Sequence, residues 1–560
     1  MKLGYKKWSL LLAVVAAGAA QAQSRAAGGN PLDSLPQINV PQKGPSVTVQ
    51  VQPQAPQLQE LLARQLTPSK IQVEGVKSIP FDDVASRFTP LVGKTITIGE
   101  LIEVANGVTK LYQERGYALS FAFVPAQTFE NNVVRVTIVE GYVANVNITG
   151  KPGSLEGRIR SIAAHIQADH PLRLSTFQRY TQIFGLLPGV KVAATVEPPT
   201  NTDGAGTLNL AVDRKKFDVS TGLDFNHPGF QGLLTATENG LTSLGEQLSI
   251  SALFPPGRDN ETYFAAHASV PIGSDGLIGK IDATRYRGNP VDNPGLPNTI
   301  TRTVVNEKLA GSLAYPLLLS NTRSVLGTVT AYASHDQDSY YSTVNGLSFG
   351  LRSQVRVLQL QADYTDIQPT QVRKASINVA KAFDVLGASK SFDRNSSLIS
   401  GTNPVSLTFT RTGANFSQTN TWPFKIGTSF SAIGQYSPDS LPTSEQIAFG
   451  AQRFALGYEP GEASGDSGWG AAFEVNRPIA VGFTYLQTFT PYVSFDMARI
   501  YLHTGTPSPS RLSSVALGFR VTDTKYYSLD LSVAKPIADA PVESSSRSPR
   551  VNATFSYQLN

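Results

Sequence analysis

The chain has 560 residues, 41% hydrophobic and only 16% charged, with 47 Gly, 27 Phe, 20 Tyr, 2 Met and no Cys. That length allows roughly two to four domains, and the missing cysteines exclude a disulfide framework, a thiol nucleophile and a thiolate metal site. A formal charge of +5 is mild for this size, and no Lys/Arg run is dense enough to point to nucleic acid. Past the N-terminus no stretch is long and apolar enough for a spanning helix, so any membrane embedding has to use strands.

Lys2, Lys6 and Lys7 precede an apolar run from Leu10 to Ala20, and Ala20-Gln21-Ala22 supplies a small-x-small cleavage pattern. Residues 1–22 therefore read as a secretory signal peptide, the run being too short for an anchor. Residues 23–68 are rich in Pro, Gln, Ala and Ser, as a linker is. Leu58, Leu61, Leu62 and Leu66 recur at helical spacing, which predicts a short helix at the linker's end.

Two units of one grammar follow, over 69–142 and 143–214. Each opens on a short strand ending in Gly, Ile71 to Gly75 and Val146 to Gly150. Helical periodicity comes next, on Leu101, Val104, Val108 and Leu111, then on Ile159, Ile162, Ala163 and Ile166. Two alternating strands close each unit, Ala118 to Pro125 with Val133 to Val139, and Val190 to Val196 with Thr207 to Val212. This is a tandem β-α-α-β-β repeat of roughly 75 residues. Basic residues thicken around Arg158, Arg160, Arg173 and Arg179, then Arg214, Lys215 and Lys216, and read as a solvated face.

Over 215–560 helical periodicity gives way to two-residue alternation, as in Phe217, Val219, Thr221, Leu223 and Phe225, or Val551, Ala553, Phe555, Tyr557 and Leu559. Turn clusters such as Pro255-Pro256-Gly257 and Asn289-Pro290 interrupt it. At about 21 residues per strand and turn, the segment holds about 16 antiparallel strands. The expected fold class is α+β repeats followed by an all-β barrel, since closure satisfies every backbone group in lipid. Export and barrel together place the chain in a bacterial outer membrane with its N-terminal units in the periplasm. A pair of soluble β-sandwiches is the alternative.

Specific motifs now carry a resemblance. They are Arg115-Gly116-Tyr117, Pro125 with Gln127, Glu140-Gly141-Tyr142 and Leu187-Pro188-Gly189 in the repeats. In the barrel they are Leu244-Gly245-Glu246-Gln247-Leu248, Leu441 to Gln446, Gly457-Tyr458, Ser464-Gly465-Asp466-Ser467-Gly468, Phe495-Asp496 and Ala534-Lys535-Pro536. In this shared order the chain resembles the TpsB outer-membrane transporters of two-partner secretion, the group of haemolysin and filamentous-haemagglutinin exporters. The resemblance implies that the two repeats are POTRA domains. It also implies type V secretion: an unfolded secreted partner of TpsA type is captured in the periplasm and passed through the barrel. A POTRA sheet edge accepts an extended chain by strand addition. Outer-membrane lipid and the barrel-assembly machinery are the other partners expected, for a monomeric protein without cofactor or nucleic acid. An outer-membrane insertase of the same superfamily is the alternative, and a passive porin would not need the repeats.

In that family a loop folds into the barrel, and an Arg at its tip meets an Asp on the inner wall. Here Leu456 holds the Arg position in Phe454-Ala455-Leu456-Gly457-Tyr458, while Asp496 matches the Asp. An unpaired buried carboxylate is costly, so Asp496 is expected to find another partner, take up water or protonate; Arg453 is the candidate partner, and a hydrated Asp496 without a fixed cation is the alternative. Arg499 is not, because an odd offset puts it on the other face. Gly457, Gly461, Gly465 and Gly468 are expected to serve turns with φ above zero inside the lumen.

A rival of another class exists. Gly465-Asp466-Ser467-Gly468, His267 within Ala265 to Ala268, and Asp366-Ile367 imitate a trypsin-like triad. Trp469 in place of a second Gly, and gaps of about 100 residues, oppose that reading. Gly93-Lys94-Thr95 has the tail of a phosphate loop, but Phe88 stands where its first Gly belongs. The six His are scattered, His165 and His170 outside ligand spacing. No catalytic or metal residue is assigned.

Overall fold

The computed structural model describes residues 62–560 apart from 129, 198, 200, 201, 226–229, 255–260, 290–298, 452, 453, 506–508, 543–545 and 560. The expected signal peptide and nearly all of the linker lie outside the described residues. Of the two described leucines expected in a short helix, Leu62 is helical, whereas Leu66 is in a two-residue strand, Gln65–Leu66, paired with Ile96–Thr97. Its side chain packs on the first unit's core, which rewards an extended path there.

That unit runs β1 (Lys70–Glu74), α1 (Phe81–Phe88), α2 (Ile98–Glu114), β2 (Phe121–Phe123) and β3 (Val133–Val139). Helix α2 starts where Thr97 and Glu100 form a reciprocal box. The Thr97 hydroxyl accepts from the Glu100 N–H (3.1 Å), and the Glu100 carboxylate accepts from the Thr97 N–H (2.8 Å). Such a cap adds about 1 kcal/mol. Leu101, Ala105, Val108, Leu111 and Tyr112 bury one face of α2 against the sheet. β3 is central, parallel to β1 and antiparallel to β2. β2 is shorter than the alternation from Ala118 suggests, because a turn closed by the Ser120 N–H on the Tyr117 carbonyl (3.2 Å) precedes it.

Glu140, just past β3, ties this unit together. Its carboxylate accepts from the Lys77 N–H (2.9 Å), the Ser78 N–H (2.8 Å), the Ser78 hydroxyl (2.7 Å) and the Tyr112 hydroxyl (2.9 Å). Partial burial raises its pKa, but the bonds from Ser78, Lys77 and Tyr112 outweigh that and hold it below the ordinary value. A folded-state pKa below the unfolded one means stability that is present above the unfolded value and lost as pH falls through the folded one. Glu140→Gln is therefore expected to cost the unit about 1–2 kcal/mol at neutral pH. The gap between variant and wild type should close as the medium is acidified below 4.5. The midpoint of the first thermal transition in the whole protein, followed against pH, measures this; a gap that persists at acid pH sinks it.

The second unit repeats the order: β4 (Tyr142–Gly150), α3 (Glu156–Gln167), α4 (Leu174–Gly185), β5 (Val190–Glu197) and β6 (Ala205–Arg214). β6 is central, parallel to β4 and antiparallel to β5. Ile159, Ile162, Ala163 and Ile166 bury the α3 face that periodicity indicates. Two backbone bonds stitch the units together, Leu174 N–H to the Gly116 carbonyl (2.7 Å) and Leu172 N–H to the Gly141 carbonyl (2.9 Å).

Sixteen antiparallel strands then close into a barrel. They are β7 (Phe217–Asp224), β8 (Gln231–Asn239), β9 (Gln247–Phe254), β10 (Thr262–Ile272), β11 (Leu277–Gly288), β12 (Ile300–Leu319), β13 (Arg323–Ser342) and β14 (Ser348–Gln368). The rest are β15 (Gln371–Ala382 with Ser389–Arg394), β16 (Thr410–Trp422), β17 (Ile426–Tyr436), β18 (Ser467–Asn476 with Ile479–Phe483), β19 (Leu486–Tyr501), β20 (Arg511–Thr522), β21 (Tyr527–Pro536) and β22 (Arg550–Leu559). β15 and β18 are each broken once, both pieces pairing with the same neighbour. β22 pairs with β7, from Thr554 on Asp224 to Leu559 on Val219, and leaves no edge. Leu248, Ile250, Leu309, Leu360, Val493 and Leu517 face outward and are exposed, as a lipid-facing wall requires. Exposed aromatics stand at both ends, Trp422, Phe424 and Tyr485 at the end that carries the α/β units, Tyr436, Trp469 and Tyr501 at the other. Among the described residues no helix is long and apolar enough to cross a membrane.

The basic residues of the second unit are not simply solvated. Arg158 donates to the Gly273 carbonyl (2.8 Å), and His165 meets the Ser274 hydroxyl (2.8 Å). Arg179 pairs with Asp275 (3.1 Å) and donates to the Pro316 carbonyl (3.0 Å). Arg214 bonds to the carbonyls of Pro152 and Gly240. These contacts seat the unit on the barrel turns at 240–246 and 273–276 and on the end of β12 at Pro316, and Gln182 reaches Asn321 in the next turn. Arg160 and Arg173 pair within the unit, with Glu156 and Asp169.

Candidate functional site in the barrel lumen

Between β17 and β18 the chain does not project away from the barrel. Residues 437–451 and 454–466 turn inward, a short hairpin of Ile447–Phe449 with Ala463–Gly465 leads to the tip, and Tyr458, Glu459 and Asp466 are each only 1% exposed. Phe449, Ala455 and Tyr458 pack on Ala498, Ile500 and Leu512 of the inner wall.

The tip is fastened mainly through its backbone. The Leu456 N–H donates to the Asp496 carboxylate (3.1 Å), the Gly457 N–H to the Ser514 hydroxyl (3.1 Å), and Asn552 donates to the Leu456 carbonyl (2.8 Å). Asp496 also accepts from the Ser514 N–H (3.0 Å) and the Ser514 hydroxyl. Further along, the Tyr458 hydroxyl donates to the Asp539 carbonyl (2.8 Å), Arg550 pairs with Glu459 (3.1 Å), and the Val542 N–H reaches Glu462. Asp496 has no ion-pair partner among the described residues; Arg453, the cation proposed for it, lies outside them. With Leu456 in this place the wall carboxylate is still satisfied, because amide donors and a hydroxyl bond to it.

Only part of the glycine reading holds. Gly461 has φ +71°, but Gly457, Gly465 and Gly468 are not in the left-handed region. Their reason is close approach. A Cβ on Gly457 would stand 2.7 Å from the Pro536 nitrogen, one on Gly465 2.6 Å from the Tyr501 carbonyl oxygen, and one on Gly468 2.8 Å from the Arg499 carbonyl oxygen. Asp466 is a splint at the loop's far end, its carboxylate accepting from the N–H groups of Leu441 (2.8 Å) and His503 (2.9 Å).

Below the tip lies a chamber of about 430 Å³, lined by Ser431, Ser494, Ser532 and Ser556 and floored by Glu474, Arg520 and Asp530. Arg520 bridges Glu474 (2.5 Å) and Asp530 (2.7 Å), stacks over the Tyr492 ring at 4.3 Å, and so links β18, β19, β20 and β21 at one level. Sequence reading missed this cluster, along with Ser514 and Asn552.

The imitation triad is not assembled. His267 pairs with Asp282 (2.6 Å), Asp366 with Arg323 (3.3 Å), and the Ser467 hydroxyl bonds to the Ser437 carbonyl (3.2 Å). Each sits on a different strand with its own partner.

In the α/β units the motif residues hold corners. Arg115 pairs with Asp83 (2.8 Å), Gly116 ends α2 with φ +90°, and the Tyr117 ring lies edge-on to Tyr112. Gln127 clasps the β3 backbone at Arg135 with two 2.8 Å bonds and reaches the Pro125 carbonyl (3.3 Å). Gly141 admits the Leu119 carbonyl where a Cβ would collide, and the Tyr142 ring packs on His170 at 4.1 Å. Pro188 and Gly189 (φ +63°) form a turn at the barrel mouth, held by the Lys215 N–H on the Gly189 carbonyl (2.8 Å).

Residues 66–141 match the POTRA domain, ShlB-type, and residues 318–521 match the haemolysin secretion/activation protein ShlB/FhaC/HecB. The Heme/hemopexin transporter protein HuxB of Haemophilus influenzae is 19% identical over 517 residues, 87% of this chain and 86% of that one. Solved structures agree in fold. CdiB from Escherichia coli superposes with a TM-score of 0.67 at 18% identity, covering 91% of this chain and 93% of its own. BamA from Haemophilus ducreyi lacking POTRA domains 1–3 gives 0.52 at 13% identity, covering 89% and 100%. With a ShlB-type POTRA unit, a haemolysin-secretion barrel and a lipid-facing wall in one chain, the protein belongs to the TpsB-type outer-membrane transporters, its α/β units in the periplasm.

Proposed function

We propose that this chain takes up an extended, secreted polypeptide on its periplasmic units and passes it through the barrel to the outer surface. The observation that carries the reading is the luminal loop: a plug held at its tip by a few hydrogen bonds on Leu456, Gly457 and Asn552, above a hydroxyl-lined chamber. A wall permanently closed for strength would be packed with apolar side chains; this one keeps polar space beneath a removable stopper. Capture falls to the sheet edges. Among the described residues β1 and β2 in the first sheet, and β4 and β5 in the second, pair on one side only, which offers backbone bonds with little demand on sequence. Residues 69–142 and 143–214 act as the two capture domains, 215–560 as the conduit, and Leu456, Gly457, Tyr458 and Asp496 as the gate. HuxB, by its name a heme/hemopexin transporter, supports cargo of this secreted kind.

Removal of 69–214 tests this. Export of a co-expressed secreted protein of TpsA type, read by immunoblot of the medium, should be lost while the barrel still inserts. Undiminished export would overturn the reading, and an insertase would instead show its defect in the assembly of other outer-membrane proteins.

A further inference from the structure

At the periplasmic mouth, a second cavity of about 760 Å³ lies between the turn at Pro188-Gly189 and the inner wall at Gln247, Ser269 and Lys280. Whatever moves from the second α/β unit into the lumen on this side meets it. Lys191, Arg214, Lys215, Lys280 and Lys525 line it together with the carboxylate of Asp213, and Lys215 is paired with Asp218 beside it. Arg214 spends its donors on the carbonyls of Pro152 and Gly240 and on the Ser154 hydroxyl. The Lys525 ammonium meets, among the described residues, only Tyr526, at its hydroxyl and over its ring. Among the described residues Lys280, which faces the lumen between Ser269 and Ser312 in register, has no carboxylate partner.

Lys191, Lys280 and Lys525, gathered in one cleft with Asp213 as the carboxylate of its lining, repel one another, and the walls focus their field on whatever enters. We infer that this antechamber is a binding site for acidic side chains, and that its occupant is an extended polypeptide segment rich in Asp and Glu, admitted ahead of neutral or basic segments. The inference rests on the translocator reading and adds the chemistry of what enters first. Unlike strand addition, which reads backbone, this site reads charge, so it gives the passage a preference among segments.

The test uses the whole protein in detergent and a fluorescent, unstructured Asp/Gly peptide, with binding read by anisotropy. Wild type should bind it, and the Asn/Gly version of the same length should bind at least about tenfold more weakly. The double substitution Lys280→Glu with Lys525→Glu should weaken the acidic peptide by a similar factor, and added salt should do the same. Heat-modifiable migration on gels checks that the variant barrel is folded. Equal binding of acidic and neutral peptides, or a folded double variant that binds like wild type, overturns the inference. So does displacement of the peptide by inorganic phosphate far beyond that by chloride of equal ionic strength, which would mark a small-anion site. Failure here together with loss of export on removal of 69–214 would leave the translocator reading standing; peptide binding with undiminished export in that deletion would do the reverse.

Discussion

Asp496→Asn is expected to unseat the luminal loop and raise the ion conductance of the reconstituted protein. The carboxylate accepts on one side from Leu456 and on the other from the Ser514 N–H and hydroxyl. An amide turns one of those faces into a donor, so a buried N–H is left facing another N–H. Losing an acceptor there costs about 1–3 kcal/mol, enough to shift the ratio of closed to open loop by about 5- to 150-fold. Planar-bilayer recordings give the open probability, and uptake of a large antibiotic normally excluded by the outer membrane gives the cellular counterpart. A folded variant with wild-type conductance would show that Asp496 does not hold the stopper.

Gly457→Ala should reach the same state by a route that leaves Asp496 intact. An added Cβ meets the Pro536 nitrogen at 2.7 Å and the Lys535 carbonyl carbon at 3.0 Å, both backbone atoms of β21. Backbone of a paired strand yields little, so the tip has to lift and the 3.1 Å bond from Leu456 to Asp496 has to lengthen. Because Gly457 is not in the left-handed region, Ala strains no dihedral there and the variant isolates the contact. The double variant is expected to conduct no more than the stronger single one, since both act on one seat. Additive increases would mean two independent closures.

What could be read beforehand follows from what each feature depends on. Strand alternation is local and every barrel strand repeats it, so sixteen strands emerge from segment length alone. The helix face of Ile159, Ile162, Ala163 and Ile166 is equally local. The Arg520 cluster is not. Glu474, Arg520 and Asp530 meet only once β18, β20 and β21 are in register, and Arg520 lies 46 positions from Glu474. The docking of Arg158, Arg179 and Arg214 was misread for another reason: a docked arginine and a solvated one look alike in sequence when the acceptors are the backbone carbonyls of Gly273, Pro316 and Gly240. The role of the three loop glycines was misassigned because crowding by a neighbouring strand leaves no mark on the glycine itself.

The fastening of Leu456 by its amide rather than a side chain has a physiological corollary. A latch made of a guanidinium and a carboxylate weakens where mobile ions reach it, whereas a buried amide dipole on a carboxylate is scarcely screened. The stopper of this protein should therefore hold alike in dilute and in salty surroundings. On the proposed reading, opening would be left to a chain that pushes or pulls on the loop, and a bacterium meeting fresh water, serum or brine would keep the same seal.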